Sequence, residues 1–235
     1  MADVDGTPLK AWREGVRAEL IARRIAISPP QRAEWSLAVS LHLLHCLPLE
    51  PGTVVGFCWP VRGEYDPRRL AWTLRQRGVR NALPVMRGRA QPLRFRSWYP
   101  GVPMEAGPMG IPHPRASEEV DPDILLIPLV GFGRAGDRLG YGGGYFDRTL
   151  SLLVPQPLAI GVGFDLSQLE NTWPQAHDVP MDAIVTESGP RIVEGGVLRV
   201  APPLEVRGRL HDLERVRRAE AASATTIIPP LPLPS

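Results

Sequence analysis

Residues 138 to 146, which read RLGYGGGYF, are the stretch of the sequence best suited to bind a ligand. Four glycines crowd five positions around Tyr141. Glycine permits positive φ and close backbone approach, and successive amide N–H groups before a helix N-terminus form an anion site. Arg138 and Arg148 flank the stretch and could neutralise phosphate oxygens. The stretch therefore predicts a phosphate-binding loop, and a glycine-rich turn that only packs is the alternative.

The loop differs from two common nucleotide-binding motifs. It has no Gly-Lys-Ser/Thr, and Lys10 is the only lysine in the chain. Its glycines are also denser than those of the dinucleotide fingerprint G-x-G-x-x-G. Asp147 follows the loop directly and falls in the first turn of a predicted helix. That carboxylate either favours the helix dipole or binds Mg²⁺, which prefers one or two carboxylates together with phosphate oxygens.

The elements on either side of the loop predict where it lies. The apolar run ILLIPLVGF, residues 124 to 132, reads as a central buried strand, and GYFDRTLSLLV reads as a helix that ends before Pro155. Ligands of open α/β sheets bind at the carboxyl ends of the strands. We therefore expect the loop at the carboxyl edge of a sheet.

The remaining elements predict an α/β fold whose sheet has substantial parallel character, because strands alternate with helices. One amphipathic helix covers residues 9 to 25, and a second begins after Ser28 as its N-cap. A third covers residues 66 to 78, with Asp66 as N-cap. The further predicted strands are TVVGFCW (53 to 59), NALPVM, PLRFRSW, LAIGVGF (158 to 164) and, as the last, AIVTES (183 to 188), whereas residues 99 to 122 read as loop.

Composition excludes several functional classes. The 235 residues carry a net charge of +2, which requires neither a nucleic acid nor a membrane as partner. The N-terminus lacks the apolar segment of a secretory signal, and no run approaches the length of a membrane span. Cys46 and Cys58 sit in apolar context and indicate packing rather than a metal site. We expect a cytoplasmic protein.

The pattern weakens beyond about residue 190. We expect one α/β domain over residues 1 to 190 and a C-terminal extension over residues 191 to 235. Within the extension, residues 212 to 224 could form a short exposed helix. The proline-rich end IIPPLPLPS, residues 227 to 235, predicts a partly disordered tail or a polyproline ligand for a partner protein.

Three motifs in one order resemble the 5-formyltetrahydrofolate cyclo-ligase family: RGEYDPRRLAWTLRQRG, LLIPLVGFGRAGDRLGYGGGYFDRTL and AHDVPMDAIVTE. With their flanks they cover residues 12 to 188. The resemblance implies a three-layer α/β/α sandwich with a mostly parallel central sheet. It also implies ATP- and Mg²⁺-dependent conversion of 5-formyltetrahydrofolate to 5,10-methenyltetrahydrofolate, with release of ADP and phosphate.

The resemblance also implies the residues of an ATP site. Arg13 and Arg17 stand four residues apart on one face of the first helix, where the family reaches ATP phosphates; a solvated basic face is the alternative. Arg138 and Tyr145 are the expected catalytic residues. The complete expected ATP set is Arg13, Arg17, Arg138, Leu139, Gly140, Tyr141, Gly142, Gly143, Gly144, Tyr145 and Phe146.

The same resemblance implies a folate site and a metal site. Glu64 would contact the pterin ring, and Trp59 would line the pocket; the alternatives are a solvated loop carboxylate and core packing. Asp147 and Asp178 would hold Mg²⁺, although Asp178 alone reads as a turn residue. The expected folate set is Trp59, Glu64, Tyr141, Gly142, Gly143, Gly144 and Tyr145.

Three residues depart from the family pattern. Arg13 replaces a lysine, Phe146 replaces a tyrosine, and Gly133 stands where aspartate is common. These departures leave open a family paralogue that binds folate or nucleotide with altered activity. A sugar-phosphate isomerase or CoA-transferase type of enzyme is the alternative from another class. We expect a monomer whose partners are a reduced folate and ATP.

Overall fold

The computed structural model describes residues 7–226, which form five α-helices, two short 3-10 helices and twelve strands. The helices are α1 Thr7–Ile25, α2 Pro29–Cys46, α3 Arg68–Gln76, α4 Tyr145–Leu152 and α5 Pro203–Thr226. The strands are β1 Val54–Phe57, β2 Arg80–Val85, β3 Arg94–Trp98, β4 Met104–Ala106, β5 Pro112–Pro114, β6 Ile124–Pro128, β7 Gly131–Phe132, β8 Arg138–Leu139, β9 Leu158–Val162, β10 Ala183–Thr186, β11 Gly189–Glu194 and β12 Val197–Val200.

Eight of these strands form one central sheet in the order β12-β11-β10-β9-β6-β1-β2-β3. The five strands from β10 to β2 pair in parallel, and the strands at the two edges pair antiparallel. From β1 the chain moves to β2 on one side, whereas from β6 it moves to β9 and β10 on the other. The direction in which successive strands are added to the sheet therefore reverses between β1 and β6. Open α/β sheets commonly bind ligands at such a point, beyond the carboxyl ends of the strands.

Both faces of the sheet are covered, as the alternation of side chains along β6 shows. Ile124 and Leu126 belong to the core cluster under α2, α3 and α5. Leu125 and Ile127 belong to the cluster on the opposite face, with Leu150 of α4. Because successive residues of a strand point to opposite faces, a strand apolar throughout is buried on both. The prediction of an α/β sandwich with a mostly parallel sheet is confirmed.

The predicted helices form, with small differences at their ends. The Ser28 side chain caps α2 by accepting a hydrogen bond from the Gln31 N–H. The N-cap of α3 is Pro67 rather than Asp66. The Asp66 carboxylate still accepts a hydrogen bond from the Arg68 N–H at 3.0 Å, so it serves the first turn from one position earlier. In the described part of the chain, no helix is long and apolar enough to span a membrane.

Two predictions about strands and loops need correction. The apolar run over residues 124 to 132 is not one strand, because β6 ends at Pro128 and the chain turns into the small β7–β8 ribbon. Leu129 and Val130 stay buried between the two, so hydrophobicity alone does not mark where β6 ends. Residues 99 to 122, expected as loop, contain the β4–β5 hairpin.

The expected last strand is followed by two more strands and a long helix. The β11–β12 hairpin extends the central sheet, and α5 is far longer than the short exposed helix expected over residues 212 to 224. Ile192 of β11 and Val206 and Leu210 of α5 are buried in the main core cluster. The boundary expected at residue 190 therefore falls inside β11. The tail over residues 227 to 235 lies outside the described residues.

Helix α5 is also fastened to the amino ends of the parallel strands. The Arg217 guanidinium forms two hydrogen bonds with the Asp182 carboxylate, at 2.8 and 2.9 Å. That carboxylate also accepts a hydrogen bond from the Ala159 N–H of β9 at 2.8 Å. Arg218 binds Asp123, which caps the start of β1 by accepting from the Val54 N–H. These ion pairs add to the contacts that Val206, Leu210 and Leu213 of α5 make with the main core cluster.

Candidate active site

The candidate site lies at the carboxyl edge of the sheet, where the segments that follow β1 and β6 meet. The segment after β1 carries Trp59 and Glu64, and the segment after β6 carries the glycine loop. The Tyr141 hydroxyl of the loop donates a hydrogen bond to Glu64 Oε1 at 2.5 Å. Two segments that both contribute to the expected folate set are thus in contact beyond the carboxyl ends of β1 and β6.

The glycine loop depends on backbone conformations that side chains rarely adopt. Gly142 has φ of +88° and Gly144, the N-cap of α4, has φ of +60°. A Cβ on Gly143 would lie 2.7 Å from the Tyr145 ring. At Gly140, by contrast, a Cβ would meet nothing within 4 Å. The glycines at positions 142 to 144 are therefore required by the fold of the loop, whether or not a ligand also approaches it.

Arg138 and Asp147, at opposite ends of the loop, form an ion pair. Arg138 Nη2 lies 2.5 Å from Asp147 Oδ1, and the side chains are 6% and 17% exposed. The Val179 N–H donates to the same oxygen at 3.0 Å, and Arg138 Nη1 donates to the Val179 carbonyl. The pair thus ties the loop to the segment that follows Asp178.

Two arginines of α1 lie beside the glycine loop and the Asp178 segment. Arg17 Nε donates to the Gly140 carbonyl at 2.7 Å. Arg13 Nη2 donates to the Trp173 carbonyl at 2.6 Å and lies 3.3 Å from Asp178 Oδ2. Burial and the nearby charge of Arg13 lower the pKa of Arg17. Because the two guanidinium groups repel each other, binding of an anion beside them would be favourable.

The Glu64–Tyr141 contact is part of a larger buried network. Arg24 Nη2 donates to the Tyr141 hydroxyl at 2.7 Å and lies 3.7 Å from Glu64 Oε1. The Val61 N–H donates to Glu64 Oε2 at 2.9 Å. Burial raises the pKa of Glu64, while the hydrogen bonds from Tyr141 and Val61 and the charge of Arg24 oppose that rise. A buried acid this close to a crevice is a candidate to bind a ligand.

Other predicted site residues are largely occupied by packing. Leu139 is 2% exposed, so its side chain belongs to the core and only its backbone could meet a ligand. Tyr145 and Phe146 pack on the second core cluster, and the Arg148 guanidinium lies 5.2 Å from the centre of the Tyr145 ring. Trp59 packs on the main core, with Arg68 5.2 Å from its ring centre.

Asp147 and Asp178 are the carboxylates that could join a magnesium ion held mainly by phosphate oxygens. The described part of the chain has no group of three or more His, Cys, Asp or Glu side chains that could hold a metal ion by itself. Asp147 and Asp178 are linked, because the residue after Asp178 bonds Asp147 Oδ1. Asp147 uses only Oδ1 in the hydrogen bonds above, so Oδ2 could accept a metal. Mg²⁺ usually takes one or two carboxylates and fills its remaining positions with phosphate and water oxygens.

Arg24 is a further functional candidate, which the sequence patterns did not predict. It stands seven residues after Arg17, two helical turns along the same face of α1, with Leu20 between them. Leu20 and Arg24 are both 2% exposed. The position of Arg24 on the same helical face as Arg13 and Arg17 was the one indication in the sequence that it belongs to the site. Spacing alone does not distinguish a buried arginine from a solvated one.

Comparison with known proteins agrees with this architecture. Residues 9–187 match the model of the 5-formyltetrahydrofolate cyclo-ligase family. The 5-formyltetrahydrofolate cyclo-ligase of Escherichia coli K12 is 31% identical over 175 residues, covering 71% of this chain and 95% of that protein. The protein of the same name from Haemophilus influenzae is 28% identical over 176 residues, covering 72% and 94%.

Solved structures give the same result. The NMR structure of the Aquifex aeolicus 5,10-methenyltetrahydrofolate synthetase has a TM-score of 0.67 and 28% identity, covering 81% of this chain and 96% of that one. A 5,10-methenyltetrahydrofolate synthetase from Mycoplasma pneumoniae, at 21% identity and a TM-score of 0.60, shares the fold.

The sheet, the loop at its carboxyl edge and these relatives place the protein among α/β enzymes of the ligase class. More particularly, the chain belongs to the 5-formyltetrahydrofolate cyclo-ligase family. The resemblance seen in the sequence is confirmed. The matched region ends before β11, so the terminal hairpin and α5 lie outside it.

Proposed function

We propose that this protein converts 5-formyltetrahydrofolate and ATP to 5,10-methenyltetrahydrofolate, ADP and phosphate. Family membership supports the reaction class. The observation that carries the proposal for this chain is the meeting of the glycine loop, the arginines of α1 and the buried Glu64 at the crevice between β1 and β6. One end of that crevice offers cations and backbone amides to an anion, and the other offers a carboxylate to a polar ring.

The chemistry explains why ATP is needed. A formamide oxygen is a poor leaving group, so the formyl oxygen first attacks the γ-phosphorus, and the bond from phosphorus to the ADP oxygen breaks. The resulting iminium phosphate has an electrophilic formyl carbon. N10 attacks that carbon and loses its proton, and the carbon–oxygen bond breaks to release phosphate. Catalysis of such a transfer consists mainly of positioning and electrostatic stabilisation.

Each part of the proposed ATP site has a role in that transfer. Arg13, Arg17 and Arg138 neutralise phosphate charge, and the backbone from Leu139 to Phe146 cradles the phosphates. Tyr145 lies at the start of α4, where the helix N-terminus also favours the anion. Asp147 and Asp178 would hold Mg²⁺, which neutralises charge on the phosphoryl oxygens when bound.

The proposed folate pocket lies on the other side of the loop. Glu64 is the carboxylate in the network with Tyr141 and Arg24, and a carboxylate can accept paired N–H groups from a pterin ring. Trp59 lies at the end of β1, where its ring could cover the pocket. The loop from Tyr141 to Tyr145 lies between the two ligands, so its backbone could hold the formyl group against the γ-phosphate. The monomeric state and the cytoplasmic location stay predictions.

An optical assay tests the proposal. Purified protein is mixed with 5-formyltetrahydrofolate, ATP and Mg²⁺, and the methenyl chromophore is followed, with parallel reactions that lack ATP or Mg²⁺. We expect the chromophore only when all components are present. If protein that measurably binds ATP produces no chromophore, the proposed turnover is wrong, and the protein is a relative that binds without this reaction.

A further inference from the structure

We propose that Arg24 is a positioning residue, which orients the Tyr141 hydroxyl and the Glu64 carboxylate for folate binding and so couples the folate pocket to the glycine loop. The inference rests on the proposed function, because it assigns a role within the same site. Arg24 touches neither of the expected substrates. It acts through the two side chains that do.

Arg24 connects three segments that the chain brings together from distant positions. Its Nε donates to the Arg62 carbonyl at 3.0 Å, in the segment after β1. Its Nη1 donates to the Leu129 carbonyl at 2.9 Å, just after β6, and its Nη2 donates to the Tyr141 hydroxyl at 2.7 Å. The residue is 2% exposed. The fork geometry of a guanidinium lets one side chain hold all three acceptors at fixed angles.

The chemistry of these groups fixes the direction of each hydrogen bond. A guanidinium has only donors, so the Tyr141 oxygen must accept from Arg24. The single Tyr141 hydrogen is then free to point at Glu64 Oε1, which lies 2.5 Å away. The Val61 N–H donates to the other carboxylate oxygen. Both oxygens of Glu64 therefore act as acceptors, which is the arrangement of an ionised carboxylate.

The charged groups around Glu64 determine how far burial can raise its pKa. The charged or titratable groups that face it are Arg24, Arg62, the Tyr141 hydroxyl and the Cys58 thiol. Burial raises the pKa of Glu64, and among the opposing influences are the charges of Arg24 and Arg62. If Arg24 is removed, less positive charge opposes the rise that burial causes in the pKa of Glu64. Glu64 should then take up a proton at a higher pH and lose the charge that would bind the pterin ring.

A purely structural arginine would give a different result, and that difference supplies the test. The test uses Arg24→Met and Arg24→Lys in the full-length protein, with Arg23→Met as the matched control. Arg23 neighbours Arg24 on α1, but its side chain is 53% exposed. It forms a loose ion pair with Glu19, in which Arg23 Nη1 lies 3.9 Å from Glu19 Oε1. Turnover is measured between about pH 5 and 8, where a raised glutamate pKa would show. KM is determined separately for the folate and for ATP.

For Arg24→Met we expect KM for the folate to rise by at least about tenfold, which corresponds to the loss of a hydrogen bond to a charged group. KM for ATP should change far less. The acidic limb of kcat/KM for the folate should move to higher pH. Arg24→Lys, which keeps the charge and loses the fork, should keep the wild-type limb while still raising KM for the folate. Arg23→Met should match the wild type.

The proposal is wrong if Arg24→Met lowers the melting temperature and reduces kcat/KM equally for both substrates, with the acidic limb unmoved. If Arg24→Met does not fold, Arg24→Lys is compared in the presence and absence of Tyr141→Phe. The lysine variant should then have a clearly smaller effect on KM when the hydroxyl is already gone, and full additivity contradicts the coupling. If the wild-type protein shows no turnover, the proposed function has failed instead.

Discussion

Asp147→Asn separates a metal-binding role for Asp147 from a structural one. In the structure Asp147 Oδ1 accepts from both Arg138 and the Val179 N–H, so the residue already has a role without any metal. Asparagine keeps an oxygen that can accept both hydrogen bonds and loses the charge. It therefore removes the ion pair and the metal ligand while changing the shape of the side chain very little.

The two roles predict losses of different kinds. A hydrogen bond to a charged group contributes about 1.5–3 kcal/mol and a neutral one about 0.5–1.5 kcal/mol, so the free energy of unfolding should fall by about 1–2 kcal/mol. For a chain of this size that lowers the melting temperature by about 2–8 °C. Loss of a residue that only supports a metal ligand lowers metal affinity or activity by about 10–100-fold. Loss of the ligand itself should lower turnover by at least about 100-fold.

The assay is the rate of methenyl formation as Mg²⁺ is varied, with thermal unfolding measured beside it. Asp182→Asn is the matched control, because Asp182 also pairs with an arginine and accepts a backbone N–H, at the opposite edge of the sheet. It should lose similar stability and keep its turnover. If Asp147→Asn keeps wild-type turnover at saturating Mg²⁺ and loses only stability, Asp147 is a structural partner of Arg138 and not a metal ligand.

Three further predictions concern other parts of the molecule. Arg13 Nη2 alone donates to both the Trp173 carbonyl and Asp178, and lysine lacks the other N–H groups of the fork that could bind a phosphate, so KM of Arg13→Lys for ATP should rise by about tenfold in steady-state assays; a strong rise in kcat would instead mark the natural protein as a weakened relative. Burial opposes ionisation of Asp165, but hydrogen bonds and a neighbouring guanidinium lower its pKa below the ordinary 3.8. Its contribution to stability is thus present above that pH and lost as pH falls through the lowered value, so Asp165→Asn should flatten the acidic fall of melting temperature, and an unchanged fall contradicts this. Arg217→Met breaks the pair with Asp182 and should lower the melting temperature by about 4–8 °C, a loss of about 2 kcal/mol. Arg215→Met, at an exposed pair, should leave the melting temperature unchanged, and equal losses would contradict the role given to the buried pair.

Much of the fold could be predicted because the relevant signals are local. Helices α1, α2 and α4 and the central parallel strands have clear apolar patterns, caps or flanking prolines. The end of β6 could not be read from the sequence, because the apolar run continues through Leu129 and Val130 into a separate ribbon. Where a buried chain changes direction depends on its neighbours and not on its hydrophobicity.

The β11–β12 hairpin and the full length of helix α5 were not predicted, for two different reasons. The β11–β12 hairpin did have a local signal, since Gly195 and Gly196 form its two-residue turn with φ of +59° and +80°. Helix α5 had little signal, because only Val206 and Leu210 of its described residues are fully buried apolar side chains. Leu213 is partly buried on the main core cluster, and Arg217 and Arg218 pair with residues of other elements, which are contacts set by tertiary structure.

The candidate site shows the same division. The glycine loop, Arg138 and Asp147 could be proposed from residue types and spacing, whereas Arg13, Arg17 and Asp178 followed only from the family resemblance. That Arg138 pairs with Asp147 could not, because the pairing depends on the left-handed turn at Gly144 that brings the two ends of the loop together. Nor could sequence alone place Tyr141 against Glu64, since their contact spans 77 positions.

The central claim is that ATP activates the formyl oxygen by phosphorylating it. The most direct measurement uses 5-formyltetrahydrofolate whose formyl group is labelled with heavy oxygen, and follows the label by mass spectrometry after a single turnover. The account predicts that the label appears in the released phosphate, because the formyl oxygen leaves the carbon still bonded to phosphorus. Unlabelled phosphate, with the heavy oxygen found in water, would contradict it.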